Sequence, residues 1–591
     1  MINLGERKVD VSHELADRLV SGNDEHLQLK LLIRLLWLNL QGGSTALNLN
    51  DIENVKNLAE RIDLKNFEEN LPELWKSLAD NPSRSNLVAR HESDYRPLVF
   101  QKNANGIWVF FARQFKDYQI IKKFIINAGL QVSEKETSAP ELKSKHSKIA
   151  LNTLQIQALN KALQHRFSLI VGGPGTGKTT LLAAILSNLI SRFDYFSEQI
   201  LLCAPTGRAA RRMQESIRLT MAKLTDDNQI KERVYQIQSM TLHKALGIYK
   251  GQTPGIAPLD YSLILVDEVS MIDSAMMANL LSRCRFDSRI IFLGDQFQLP
   301  SVQAGDVLQW IFNNCNKKNI TELQQSHRFS VRFQTVSKMI IEGSSSTVNE
   351  IEKLHLSDDL AFIRTLETDK DSSIYHYDAG QKDQLENVLT SWLKGQFADT
   401  EFVTLVRKFS KTQHEDFEIV AQLLNLMQQR QVLGLVNEGY WGITSLNANC
   451  MRILKSLLGE ENRGNFFQGL CVMMTRNDRN LGIYNGDTGI LLNFKGELRA
   501  YFQGANGWVT LHSDRFSQLV PALAITVHKS QGSEYGSVLM VFPDVKTPLA
   551  MREIVYTGIT RAKKYAVLFA STPMLQYAIE NKSPRTMGPP I

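Results

Sequence analysis

The pattern of apolar and polar positions changes texture along the chain. Residues 11–20 and 27–40 carry apolar residues at helical spacing. Leu98-Val-Phe-Gln and Ile107-Trp-Val-Phe-Phe flank Lys102-Asn-Ala-Asn-Gly. That predicts a β-hairpin, with Asn105-Gly106 supplying the positive-φ turn. Residues 132–148 are polar with one Leu and one Pro, the composition of a linker. Beyond them short apolar strands alternate with amphipathic helices. Residues 168–171 run into a Gly-rich turn and a helix over 179–190, and further strands are predicted over 199–204, 262–266 and 289–293. The same texture resumes over 522–527, 538–542 and 566–570. Such alternation implies parallel sheets covered by helices on both faces, an α/β fold. Between residues 463 and 520 the chain is β-rich and Gly-spaced, with hairpin cues at Tyr484-Asn-Gly-Asp and Asn493-Phe-Lys-Gly. That stretch reads as a small barrel-like insert. No repeat of fixed period is present.

Composition narrows the class. Of 591 residues, 43% are apolar and 22% charged, which excludes disorder, collagen or a coiled coil as a description of the whole. Lys+Arg is 67 against 61 Asp+Glu, a net charge of +6 that permits a polyanionic partner without demanding one. Cys203, Cys284, Cys315, Cys450 and Cys471 form no C-x-x-C pair, which argues against structural zinc or a disulfide framework. The apolar run over 27–40 is interrupted by Lys30 and Arg34 and is too short to span a bilayer. No basic-then-apolar leader opens the sequence, and the expectation is a cytoplasmic protein.

Two features carry chemistry. Gly172, Gly173, Pro174, Gly175, Thr176, Gly177, Lys178 and Thr179 fit G-x-x-x-x-G-K-[ST], between a predicted strand and a predicted helix. The glycines let backbone N–H groups turn inward onto phosphate oxygens. The helix start adds partial positive charge, Lys178 a full one, and the Thr179 hydroxyl, followed by Thr180, can ligate Mg²⁺. The bland alternative is a Gly-rich turn without a ligand. Leu263-Ile-Leu-Val ends in Asp267-Glu268. A carboxylate leaving a buried strand can hold Mg²⁺, and its neighbour can orient the attacking water. Taken alone, that run could equally be a surface turn.

Further motifs follow in order: Gln155 in Leu151-Asn-Thr-Leu-Gln, Ala204-Pro-Thr-Gly-Arg208, Thr241-Leu-His243, Leu293-Gly-Asp-Gln296, Ser326-His327-Arg328, Thr526-Val-His-Lys-Ser-Gln-Gly-Ser-Glu534, and Val555-Tyr-Thr-Gly-Ile-Thr-Arg561. The series resembles that of superfamily-one helicases of the 5′→3′ branch. It is most similar to the RecD family, the alpha subunits of RecBCD enzymes (exodeoxyribonuclease V). The likeness is strong over about 150–572 and weaker over 1–130. It implies two RecA-like P-loop motor lobes: a first at 149–322, and a second at 323–462 resuming at 521–591 after a small SH3-like insert at 463–520. A mostly helical N-terminal domain with a β-hairpin, 1–131, would precede the linker as a docking platform or a stabilising appendage.

Position by position, the resemblance implies that Gln155 recognises adenine and that Lys178, Thr179 and Asp267 hold phosphates and Mg²⁺. Glu268 would activate water, Gln296 would sense the γ-phosphate, and Arg328 and Arg561 would reach it from the second lobe. Glu534 would contact ribose beside Gln531 and Gly532. Where many relatives place Tyr before the motif-four arginine, this chain has His327, whose ring stacks with less surface.

For DNA the candidates are Pro205, Thr206, Arg208, Thr241 and His243 on the first lobe and Thr526, His528 and Lys529 on the second, since hydroxyls and cations suit phosphate tracking. Either histidine alone could be structural, and Trp310, Phe312 and Phe329 could stack on bases or belong to the core. The expected activity is an ATP- and Mg²⁺-dependent 5′→3′ DNA helicase acting on single strands and duplex ends. It would work in double-strand break repair and recombination, in a heterotrimer with RecB-like and RecC-like subunits. No acidic-plus-lysine nuclease cluster is legible, so nuclease activity would lie in a partner. Two readings stay open: a free-standing helicase of plasmid, phage or general repair, and a nucleotide-switched scaffold. Intact Glu268, Arg328 and Arg561 argue against the scaffold.

Overall fold

The computed structural model describes residues 3–4, 7–8, 11–19, 25–62, 71–82, 85–91, 94, 96–130, 150–248, 257–354, 373–378, 382–398, 401–460, 464–478, 480–504 and 507–591. The linker expected over 132–148 lies outside the described residues.

Six parallel strands build the first lobe, in the order Ile320–Leu323, Phe167–Gly172, Arg289–Gly294, Leu263–Val266, Ile200–Ala204, Ser239–Thr241. Their near-continuous apolar runs reflect burial on both faces. Ile170, Leu265, Ile291 and Leu293 face helix Lys178–Phe193 and its Leu181, Ile185 and Leu189. Leu169, Val171, Ile264 and Phe292 face the other way, onto helices Ser274–Arg283 and Val307–Asn314. Phe115, Tyr118, Ile121 and Ile125 of helix Ala112–Leu130 join that second core. Within the N-terminal domain expected over 1–131, residues such as Leu32, Leu36, Val55, Trp75 and Val109 form a core of their own, while the last helix helps cover the first lobe's sheet.

The predicted hairpin is present. Leu98–Asn103 pairs antiparallel with Gly106–Phe111, and Gly106 alone of the turn pair takes positive φ, at 125°. A third strand that the pattern did not predict, Ala46–Asn48, adds to Gly106–Phe111.

The second lobe is again six parallel strands, ordered Glu352–Leu354, Ser373–Asp378, Ala562–Ala570, Tyr535–Val541, Arg430–Gly434, Ala524–Thr526. The β-rich stretch forms a separate antiparallel sheet of five strands, ordered Gly507–Leu511, Glu497–Gly504, Thr488–Phe494, Cys471–Met474, Leu519–Pro521. This is the small β-rich insert expected over 463–520, and among the described residues its two outer strands do not pair with each other. Of the two hairpin cues, Asn493-Phe-Lys-Gly turns directly between strands, with Lys495 and Gly496 at φ 52° and 86°. The turn at Tyr484–Asp487 instead ends the longer connection that leads into Thr488–Phe494.

After helix Thr572–Glu580, residues 583–591 run back over the N-terminal region and the first lobe. The Thr45 amide and hydroxyl donate to the carbonyls of Thr586 and Met587 at 2.9 and 2.6 Å. Tyr118 Oη and Trp310 Nε1 both donate to the Pro589 carbonyl, at 3.1 Å each. No described helix is long and apolar enough to cross a membrane.

Candidate active site and nucleic-acid interface

Strand Phe167–Gly172 delivers the Gly-rich loop at its C-terminal end, and Gly175 and Gly177 take φ of 79° and 82°. Glycine is needed there for space as well as for φ. A Cβ on Gly175 would lie 2.5 Å from Arg328 Cβ, and one on Gly177 would lie 2.4 Å from Gln155 Nε2. No side chain caps helix Lys178–Phe193, so its first N–H groups are left to an anion. Lys178 Nζ folds back onto the carbonyls of Gly172 and Gly173 at 2.5 and 3.0 Å, and Thr176 Oγ1 donates to the Gly173 carbonyl at 2.8 Å.

A cleft of about 590 Å³ opens above this loop. Its first-lobe wall holds Gln155, Pro174 to Thr180, Asp267 and Glu268, and its second-lobe wall holds His327, Arg328, Gly532, Glu534 and Arg561. Asp267 is half-buried: desolvation first, then the charge of Glu268, raises its carboxyl to about 6, with Lys178 opposing. Glu268 sits at φ 54°, ψ 43°, a left-handed conformation that costs a non-glycine residue on the order of 1–3 kcal/mol. Burial would raise the Glu534 carboxyl, but two guanidiniums outweigh it and hold it at about 2. Arg212 pairs with Oε2 at 2.7 Å and Arg328 with Oε1 at 2.5 Å. Arg561 is buried and donates to the carbonyls of Thr557 and Ser533 at 3.1 and 3.3 Å. Burial lowers its pKa, while Glu268 and Glu534 raise it. His327 is exposed, and its amide donates to the Gly175 carbonyl at 2.9 Å. The Gln155 amide is already committed: Nε2 donates to the Thr176 carbonyl at 3.1 Å and Oε1 accepts from the Asn152 amide at 3.0 Å, closing a capping box.

Four positions fall elsewhere. Gly172, Gly173 and Gln296 line a second cavity of about 420 Å³ on the far side of the loop. Gln531 lines neither cavity and donates its amide to the Leu299 carbonyl at 3.2 Å. Gln298, two residues on from Gln296, is the glutamine in the cleft wall, and its Nε2 donates to Asp295 Oδ2 at 3.1 Å. Arg212 is the other residue that sequence reading passed over. It lies four residues after Arg208 on helix Gly207–Leu224, hence on the same helical face, and that spacing was the available signal.

The DNA candidates are not gathered in one place. Thr206, Thr241 and Thr526 are each helix N-caps, accepting the amides of Ala209, Lys244 and Lys529 at 3.2 Å. Pro205 and Arg208 are half-buried beside the first of these caps, and Arg208 Nη1 is buried without a hydrogen-bond partner. His243 is exposed, while burial, reinforced by Arg585, lowers the pKa of His528. Thr526 and Lys529 open onto a cleft of about 880 Å³ between helix Ile443–Leu458 and the five-stranded sheet, where Arg452, Lys455 and Phe466 join them. Base stacking is overturned for the three aromatics: Trp310 is buried, Phe329 stacks on Phe333 at 4.1 Å, and Phe312 packs on the first lobe's core.

Two family models match the chain: one described as an AAA domain over residues 155–304, and a UvrD-like helicase C-terminal domain over 521–569. The chain is 29% identical to the RecBCD enzyme subunit RecD of Mycobacterium tuberculosis (strain CDC 1551 / Oshkosh) over 443 residues, 73% of this chain and 72% of that one. With the Haemophilus influenzae RecBCD enzyme subunit RecD it shares 28% over 552 residues, 83% and 80% of the two chains. With the ATP-dependent RecD2 DNA helicase of Deinococcus radiodurans it shares 28% over 426 residues, 71% of this chain and 49% of that protein.

Proposed function

We infer that the chain is a RecD-type helicase, an ATP-driven motor that moves 5′→3′ along DNA as a subunit of a RecBCD-type helicase-nuclease in break repair and recombination. The observation that carries this is one cleft walled by two lobes, with Lys178, Asp267 and Glu268 on one side and Arg328, Glu534 and Arg561 on the other.

A nucleoside triphosphate fits that cleft. Positive-φ glycines leave the loop's N–H groups free to turn inward, an uncapped helix start faces them, and four cationic side chains, Lys178, Arg212, Arg328 and Arg561, converge on the walls. Thr179 and Asp267 would hold Mg²⁺, which supplies charge neutralisation on the phosphate oxygens. Glu268 would orient the attacking water, and Lys178 would exchange its two loop carbonyls for phosphate. Arginines brought in from a second body contribute about 10³–10⁵ in rate in related phosphoryl transfers. A site completed only when both lobes are in place ties hydrolysis to lobe movement. Gln298 takes the coupling role first assigned to Gln296.

Lys529, Lys455, Arg452 and Phe466 give the second-lobe cleft cations and a half-buried aromatic ring, the pairing that suits a single strand without sequence readout. The strand would cross from there to the first lobe near His243 and Arg208. RecB-like and RecC-like subunits would be the partners, with residues 1–131 as a docking surface. The likeness to RecD2 keeps a free-standing helicase as the second reading.

Lys178→Gln is expected to abolish DNA-stimulated ATP turnover while melting and subunit docking stay as in the parent; loss of folding would remove Lys178 from this role. Native mass of the chain at natural expression level separates the readings. Co-purification with two large chains supports the RecBCD-type motor, and a monomer supports the free-standing helicase.

A further inference from the structure

Between strand Arg289–Gly294 and Pro300 the first lobe is held by the second at three points. Tyr556 Oη donates to Asp295 Oδ2 at 3.1 Å, the Leu299 amide donates to Thr557 Oγ1 at 2.8 Å, and Gln531 Nε2 donates to the Leu299 carbonyl at 3.2 Å. Asp295 is itself buried, and the same Oδ2 accepts from Gln298 Nε2 at 3.1 Å while Oδ1 accepts from the Phe297 amide at 3.1 Å. On the other side of the contact, the Thr557 carbonyl accepts from Arg561 Nε at 3.1 Å. Gln298 and Arg561 both line the nucleotide cleft; Asp295 and Tyr556 do not.

We propose that Asp295 and Tyr556 are positioning residues that lock Gln298 of the first lobe and Arg561 of the second into one hydrogen-bonded unit, so that the two groups meet the nucleotide together. The inference rests on the helicase reading above. One carboxylate oxygen is shared by a glutamine amide facing the cleft and a phenol on the other lobe. Any shift of helix Arg552–Ile559 therefore reaches Gln298 through a single atom. The next residue of that helix, Thr557, carries the Arg561 end of the same link. The phenol remains a donor throughout, because burial and then the neighbouring Asp295 push its pKa well above the ordinary range. The fit is tight on the loop side too: a Cβ on Gly173 would lie 2.9 Å from the Tyr556 hydroxyl. Tyr556 thus packs directly on the phosphate loop that the unit serves.

The test is steady-state ATP turnover by the full chain, with and without single-stranded DNA, in the parent, Tyr556→Phe, Gln298→Ala and the double variant. Tyr556→Phe removes one oxygen. It is expected to lower the DNA-stimulated kcat about tenfold and to change KM for ATP less than threefold. The loss in the double variant is expected to be clearly less than the product of the two single losses, because the hydroxyl acts through the unit to which that amide belongs. A Tyr556→Phe rate within twofold of the parent overturns the proposal. So do losses that multiply in the double variant, the pattern of a merely structural contact. Should Tyr556→Phe not fold, Thr557→Val breaks the parallel link and carries the same expectations. Absence of DNA-stimulated turnover in the parent overturns the helicase reading and the proposal with it. Parental turnover with an unaffected Tyr556→Phe overturns the proposal alone.

Discussion

Glu534 shows how much one side chain can report about the site. Its carboxyl is divided between Arg212 of the first lobe and Arg328, whose loop also docks on the phosphate loop. With the folded pKa at about 2, against the ordinary glutamate value of 4.5, the group stabilises the fold above about pH 5 and loses that contribution as pH falls towards 2. A shift of that size corresponds to on the order of 3 kcal/mol. Glu534→Gln is therefore expected to melt below the parent at pH 7, with the gap narrowing steadily between about pH 5 and 3. A gap that stays constant on acidification would show that the two arginines do not set this carboxyl's ionisation. The residue scale is also where sequence reading was sharpest and where it slipped. Lys178, Asp267, Arg328 and Arg561 announce themselves by motif spacing. Which of Gln296 and Gln298 faces the cleft depends on backbone direction after Gly294, which residue identity does not encode.

At the scale of elements, helix Gly207–Leu224 joins the first lobe to the five-stranded sheet and to the second lobe. Arg211 donates to the Gln503 and Gly482 carbonyls at 2.9 and 3.4 Å and pairs with Asp487 at 3.3 Å, its guanidinium lying 5.9 Å from the Tyr484 ring centre. Tyr484 rests on Gly207, where a Cβ would come within 2.9 Å of the ring. The turn at 484–487 is thus shaped by a helix more than 250 residues earlier, which is why a local hairpin cue misread it. Arg211→Ala leaves Asp487, a nearly buried carboxylate, with the Tyr484 amide at 2.8 Å as its remaining contact in the turn. A cost of about 1–3 kcal/mol is expected for that loss. Amide exchange should rise about tenfold or more over 480–487 and stay at parental rates in the two parallel sheets. Unchanged exchange in the turn would mean that the helix does not hold it.

For the whole molecule, residues 583–591 are the tie. They leave the second lobe's last helix, place Met587 in the first lobe's core, and satisfy Tyr118 and Trp310 through one carbonyl of Pro589. Arg585 reaches the Ser301 carbonyl just beyond the segment that the second lobe clamps. Ending the chain after Lys582 removes a buried methionine, worth about 2–3 kcal/mol, and the Pro589 carbonyl that accepts from Tyr118 and Trp310. The shortened chain is expected to melt several degrees lower and to release the N-terminal region to limited proteolysis before either motor lobe. Parental melting and cleavage order would show that the strap is dispensable.

The sequence by itself determined the elements and the chemistry of the phosphate end: strand–helix alternation, the Gly-rich loop, and the order of the carboxylate and arginine motifs. These are short-range signals, since period, turn residues and spacing within a motif need no knowledge of the rest of the chain. Tertiary structure alone decided which lobe each side chain serves. It placed Arg212 across the cleft on Glu534, set Gln298 in the cleft wall, packed helix Ala112–Leu130 into the first lobe's core, and fixed the strand order of the insert. Each of those depends on contacts between residues tens to hundreds of positions apart, set by how whole elements pack rather than by any local pattern.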